Sequence, residues 1–267
     1  MFNAPSFFGF RSNAFGGGFD ADYQAVLDYA TTQGYTLPSS GQQTLQNQLV
    51  VDLKSAGIWS KLDTFAVFAT DGDSDFALID WIRLIDYTAF NSPTFTTNQG
   101  FTGNGTSSYI DTNYNPNTNK VNLTINSASI GFWQRSSSVA RPSVEIGTDD
   151  GTSRFQCLSR WSDSNSYMPI FTSNFPFVTA STSVGLFQNN RINSTTVNQY
   201  VNGVKNGLNQ SDTSNTIPSR NITVLARNQS TIFGFSNRQL SMSFIASNLE
   251  SESNDFYNAF NTYITSI

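Results

Sequence analysis

The chain has 267 residues, enough to bury a sizeable core in one large β domain, or in two units at most. Only 12% of residues are charged and the net charge is −5, which argues against a phosphate-binding surface and so against nucleic acid as a partner. Histidine is absent, which removes Ser-His-Asp and Cys-His nucleophile systems, His-ligated zinc and the usual general base.

With 23 Phe, 10 Tyr and 4 Trp there is ample material for a packed interior, so the Asn/Ser/Thr-rich polarity does not signal disorder. The single Cys157 has no disulfide partner and is expected to be a small buried hydrophobe. No basic-then-apolar leader and no apolar run of spanning length occurs, so synthesis in the cytoplasm and use in water are expected.

In chain order, residues 1–19 hold Phe7, Phe8, Phe10 and Phe15 among glycines with no helical or strand period. They are expected to be an anchoring arm that docks on a partner, against the simpler reading of a tail on its own domain. Residues 20–63 read as a helical subdomain. Asp20 caps a first helix with Tyr23, Val26, Leu27 and Ala30 on one face and Gly34 at its end. Ser40 to Gln43 fits a capping box for a second helix that Gly57 stops. The short connection makes the two an antiparallel hairpin.

From Thr64 the pattern becomes β, with apolar runs "FAVFAT" and "FALIDWIRLIDY" on either side of "DGDSD". Asp71, Asp73 and Asp75 alternate as Ca²⁺ ligands can, but the later glycine and distal Glu of an EF-hand are missing, and a solvated turn is the simpler reading. No other cofactor is expected. Further on, short aromatic and β-branched runs such as "SSYIDT", "VNLTI", "ASIGFWQRS", "RFQCLSRW" and "QLSMSFIAS" alternate with Asn/Gly/Ser turns. That spacing predicts antiparallel strands in a sandwich or barrel. Within "NQYVNGVKNG", Asn202-Gly203 between strand formers predicts a two-residue type I′ hairpin. The C-terminal stretch, capped at Ser251, places Phe256, Tyr257, Phe260, Tyr263, Ile264 and Ile267 on one stripe of a helix.

From Phe101 onward the order of "FTGNGTSSYIDT", "ASIGFWQRS", "YVNGVKNG" and "NITVLARN" resembles the laminin-G-like, concanavalin A-type jelly roll. The expected fold is therefore mainly β, an antiparallel jelly-roll sandwich over 64–267 with an N-terminal helical hairpin and a C-terminal helix. The whole chain resembles structural proteins of bacteriophages. That resemblance implies a virion component, such as a head decoration, spike, fibre or tail protein, attached to other virion proteins through its arm and assembled as a homo-oligomer.

Three functions follow from different classes. The first is a non-enzymatic virion structural protein that contacts host-surface glycans through Trp161, Tyr167 and Asp163, because aromatic faces stack on sugars and carboxylates bind hydroxyls. The second is a free or cell-surface carbohydrate-binding module or adhesin. The third is a glycan-cleaving enzyme using Asp149-Asp150 near Trp161 and Asp163. It is disfavoured because "TDDG" reads as a turn, only three Glu occur (Glu145, Glu250 and Glu252), and no acidic strand motif is present.

Overall fold

The computed structural model describes residues 18–137, 141–180 and 184–267, and the arm's Phe7, Phe8, Phe10 and Phe15 lie outside these described residues. Helix α1 spans Ala21–Gln33 and α2 spans Ser40–Ser55. The Asp20 side chain accepts from the Asp22 N–H, and Gly34, at φ +81°, closes α1. The cap of α2 is Ser39, one residue before the expected Ser40; its hydroxyl accepts from the Gln42 N–H. The reason lies outside the helix. Gln42 does not reach back to complete a box; its Oε1 accepts from Thr70 and from the Asp71 N–H, while Asp71 takes the Ser39 N–H at 3.0 Å.

The alternating aspartates therefore act as backbone acceptors that fasten the 71–75 turn to the helices. Asp73 accepts from the N–H groups of Thr36 (2.7 Å) and Phe76 (2.8 Å), and Asp75 is exposed. Among the described residues no group of three or more acidic or thiol side chains is arranged to hold a metal ion. The run at 76–87 is also not one strand. It folds as a 3-10 turn, Phe76–Leu78, followed by a two-residue hairpin pairing Ile79–Asp80 with Ile85–Asp86. Asp80 drives this break, because its carboxylate accepts from the N–H groups of Phe65 and Ile82 and pairs with Arg83 at 2.6 Å.

Two antiparallel sheets face each other. The larger runs Val204–Lys205, Thr196–Val201, Gly185–Asn193, Ala128–Gln134, Gln239–Ala246, Gly100–Thr102 and Thr94–Thr96, with Leu62–Val67 also on Gln239–Ala246 and Gln210–Ser211 on Thr196–Val201. The smaller runs Ile170–Thr172, Arg154–Cys157, Ile146–Asp149, Thr223–Val224, Tyr109–Asp111 and Thr88–Phe90. This is the antiparallel sandwich that the strand spacing predicts, with the jelly-roll fold that the resemblance implies. "VNLTI" forms only an isolated bridge, Thr124 to Ser127.

Between the sheets Ile130, Phe132, Phe187 and Ile245 meet Ile146, Phe155, Ile170 and Val224, with Cys157 fully buried among them. A second core lies on the outer face of the larger sheet. There Phe65, Trp133, Met242 and Phe244 are covered by Val26 and Leu27 of α1, Leu49 and Leu53 of α2, and Phe256, Phe260 and Tyr263 of the C-terminal helix α3, Ser253–Ser266. Burial on both faces explains why "ASIGFWQ", every residue buried, shows no polar alternation. Helix α3 starts later than expected, after Glu252, and Ser251 does not cap it. Asn202 and Gly203 sit at φ +51° and +76° between paired Val201 and Val204, as a type I′ turn requires. No helix among the described residues is long and apolar enough to cross a membrane.

Candidate functional site

The helical layer covers one face of the molecule, and the site lies on the opposite face, the outside of the smaller sheet. Strand Arg154–Cys157 alternates strictly. Phe155 and Cys157 point into the core, so Arg154 and Gln156 point outward. The facing register, Arg154 to Asp149 and Gln156 to Gly147, puts a carboxylate beside Arg154 and a glycine beside Gln156, whose Cβ fills the space a side chain at 147 would need.

Above this surface the chain from 158 to 179 forms a raised wall. Trp161 and Asn165 close a tight loop through the Trp161 N–H on the Asn165 carbonyl, at 2.8 Å, and the Asp163 carboxylate accepts from the Asn165 N–H. Asn165–Tyr167 then pairs with Phe177–Thr179. Between wall and sheet lies a pocket of about 280 Å³ lined by Gln156, Leu158, Trp161, Tyr167, Phe175, Arg227 and Phe233. Tyr167 is its hub. Its ring meets Trp161 edge-on at 6.4 Å, Phe175 edge-on at 6.0 Å and Phe177 at 5.7 Å. Phe175, Phe177 and Phe233 remain 47%, 48% and 42% exposed, so these rings present faces to solvent instead of filling a core.

Trp161, Tyr167 and Asp163, the residues expected to contact sugar, are brought together here, and the Tyr167 hydroxyl donates to Asp163 at 2.6 Å. That bond holds the Asp163 carboxyl below its ordinary value, while burial and Asp163 together raise the Tyr167 phenol. The pair Asp149-Asp150 stands apart from them. It forms the tip of the hairpin between Ile146–Asp149 and Arg154–Cys157, where Asp149 accepts from the Gly151 N–H and Asp150 from those of Thr152 and Ser153. Asp149 also lies between two guanidiniums, Arg154 at 3.0 Å and Arg227 at 3.8 Å.

The arginines were not singled out in the sequence. Arg154 stacks on Phe175 with its guanidinium carbon 4.1 Å from the ring centroid, and Arg227 lies 5.3 Å from that of Phe233. Strand alternation in "RFQC" signals Arg154 and Gln156. Nothing local signals Arg227, whose place depends on a loop closed by paired backbone bonds between Arg227 and Phe233.

Two fully buried ion pairs fix the wall from below. Arg238 meets Glu145 at 2.5 Å and also donates to the Arg160 carbonyl, while Glu145 accepts from the Ser159 N–H, so the backbone on the N-terminal side of Trp161 is pinned. Arg191 meets Asp212 at 2.8 Å and donates to the Ile170 carbonyl, and Asp212 accepts from Thr172 and Asn174 just before Phe175. Between them Asn189 donates to the carbonyls of Gln156 and Tyr167. Pre-fixed rings of this kind lose little entropy on binding.

No protein-family model matches the chain, and no characterised protein sequence is similar to it. Solved structures do resemble it in fold. A mutant Trypanosoma rangeli sialidase displaying trans-sialidase activity superposes over 84% of this chain with a TM-score of 0.53 and 12% identity. The same sialidase in complex with the inhibitor DANA covers 82% with a TM-score of 0.51 and 11% identity. The binding domain of botulinum neurotoxin serotype D covers 77%, with a TM-score of 0.51 and 13% identity. The match spans about two fifths of the sialidase chains, 40% and 39%, and 52% of the toxin domain. At such identities the likeness is one of fold, a β-rich sandwich.

Proposed function

We propose that the protein is a non-enzymatic glycan-binding module whose receptor site is the aromatic pocket on the smaller sheet. One observation carries the reading: four aromatic rings, Phe175 and Phe233 among them over 40% exposed, line a cavity of about 280 Å³ together with Gln156 and Arg227. Ring faces stack on the apolar faces of sugars, and the amide and guanidinium supply hydrogen bonds to hydroxyls. The site offers poor means for hydrolysis. A glycosidase of the common type places two carboxylates across the scissile bond, whereas here Asp149 is engaged by two arginines and Asp163 by Tyr167.

A glycan array and calorimetric titration test the proposal. Binding is expected, and Trp161→Ala should weaken it about tenfold, by loss of stacking and of the apolar area one ring buries. No binding to any glycan, or unchanged binding by Trp161→Ala, refutes it. Incubation with surface polysaccharides should yield no new reducing ends; their appearance would make the protein an enzyme.

The setting we propose is a virion, with many copies displayed and attached through residues 1–19. The scarcity of charge and the aromatic arm support that setting, and repetition would convert weak single-site contacts into useful avidity. Detection of the chain in purified particles tests it, and its exclusive recovery from a cell surface or from free solution would favour an adhesin or free module instead.

A further inference from the structure

Beside the aromatic pocket lies a second, polar one of about 220 Å³, lined in part by Asp149, Asp150, Arg154, Arg220 and Gln229. The two are joined. Arg154 lines the polar pocket and stacks on Phe175 of the aromatic one, and Gln229 lines the polar pocket and accepts a hydrogen bond from Arg227. Together they form one groove with rings at one end and guanidiniums at the other.

We infer, resting on the glycan reading of the same groove, that its ligand is an anionic saccharide, with the sugar ring on the aromatics and a carboxylate or sulfate among Arg154, Arg220 and Arg227. The charge balance supports this. The chain as a whole carries −5, yet three guanidiniums line the two pockets against two carboxylates, and the third carboxylate nearby, Asp163, is held by the Tyr167 hydroxyl outside their lining. The carboxylates are already occupied. Asp149 is shared between two arginines, and Asp150 accepts from the N–H groups of Thr152, Ser153 and Ser219.

Arg220 makes no ion pair within 4.0 Å among the described residues, and the Nε of Arg227 is buried with no hydrogen-bond partner there. Burial holds the Arg227 guanidinium below its ordinary value, with Asp149 partly offsetting this and Arg154 adding to it. A guanidinium remains charged under such conditions, and an incoming anion would relieve the repulsion between Arg227 and Arg154. A planar fork also matches a carboxylate or sulfate through two parallel hydrogen bonds.

The test is a titration and array of matched probes: lactose, sialyllactose and sulfolactose, and trigalacturonate beside its methyl ester. The anionic member of each pair should bind about tenfold more tightly than its neutral counterpart, the size of one charge-assisted contact, and the difference should shrink with added salt. Arg220→Gln should erase most of that preference. Lys120→Gln, the same loss of charge on a loop whose amine bonds only its own turn, should retain it. The sialyl and sulfo arms distinguish carboxylate from sulfate. Equal or better binding of the neutral members overturns the anionic ligand while leaving a glycan site in place. Absence of binding to every probe and every array glycan overturns both readings.

Discussion

Glu145 and Arg238 have no exposed side-chain surface, and their ion pair is the deepest support of the loop that carries Trp161. Replacing Arg238 by Met leaves the carboxylate buried without its cation, which costs about 3–5 kcal/mol, whereas replacing both members with apolar groups of similar volume is far less damaging. Urea denaturation of Arg238→Met and of the double variant Glu145→Leu/Arg238→Met checks this; equal losses would refute the pairing argument. At the rim, the Tyr167–Asp163 bond sets a pH window. The depressed carboxyl keeps its bond above the ordinary 3.8 and loses it only as pH falls through the lowered value, and the raised phenol keeps its proton past the ordinary 10.0. Glycan affinity, followed by Trp161 fluorescence, should therefore be flat between those limits as far as this pair is concerned. A midpoint near neutrality that Asp163→Asn removes would contradict it. Trp161, Tyr167 and Asp163 were legible because a span of seven residues keeps them together in any tight loop. Arg227 and Phe233 were not, because their approach to Trp161 depends on how two distant loops cross the sheet.

At the scale of elements, local chemistry was readable wherever the partner lay within a few residues. The Asn202-Gly203 turn and the αL glycine that ends α1 belong to this class. It misled wherever a distant group substituted for the local one. Ser39 takes the cap of α2 because Asp71, more than thirty residues away, satisfies its N–H, and the 76–87 run breaks because Asp80 collects backbone donors. The hairpin tip also has a role beyond turning the chain. Gly203 has φ +76°, and a Cβ added there would stand 2.9 Å from Asn254 Cα and 3.1 Å from Tyr257 Cβ, on α3. Tyr257 itself stacks on Trp133 at 5.8 Å. Gly203→Ala therefore adds backbone strain and pushes on the helix, with an expected loss of about 1–3 kcal/mol. A thermal-melting series checks it, and a neutral Gly203→Ala would mean that the tip and helix separate without cost.

For the whole molecule, the expectation of a helical subdomain at 20–63 meets a structure in which α1, α2 and α3 close one core over the outer face of the larger sheet. That core also has a polar centre. Gln46 accepts from the Tyr23 hydroxyl at 2.7 Å and donates to that of Tyr263 at 3.1 Å, so α1, α2 and α3 are joined by one buried amide. Gln46→Ala would strand the Tyr23 hydroxyl, at about 1–3 kcal/mol, while that of Tyr263 keeps its bond to the Ala69 carbonyl. A truncation separates the two descriptions of the helices. Removing the chain before Leu62 strips Tyr23 from Trp81 and Trp59 from Phe65 while α3 still lies on Trp133 and Phe244, and the apolar surface so exposed is one that a sandwich in water does not tolerate. The truncated chain should aggregate or bind a dye for exposed apolar surface, and a monomeric sandwich with native-like melting would establish the hairpin as a dispensable unit. Removing only Met1 to Gly18 is a different cut, since it spares Phe19, the first of the described residues packed on this core, whose ring meets Tyr23 edge-on at 5.4 Å. That shorter truncation should retain the fold, glycan binding and melting temperature while abolishing attachment to the particle, because each Phe of the arm, if seated in a partner, contributes roughly 1.5–3 kcal/mol. Normal attachment after the cut would end the anchoring proposal without touching the glycan site, because the groove lies on the sheet face turned away from the helical layer.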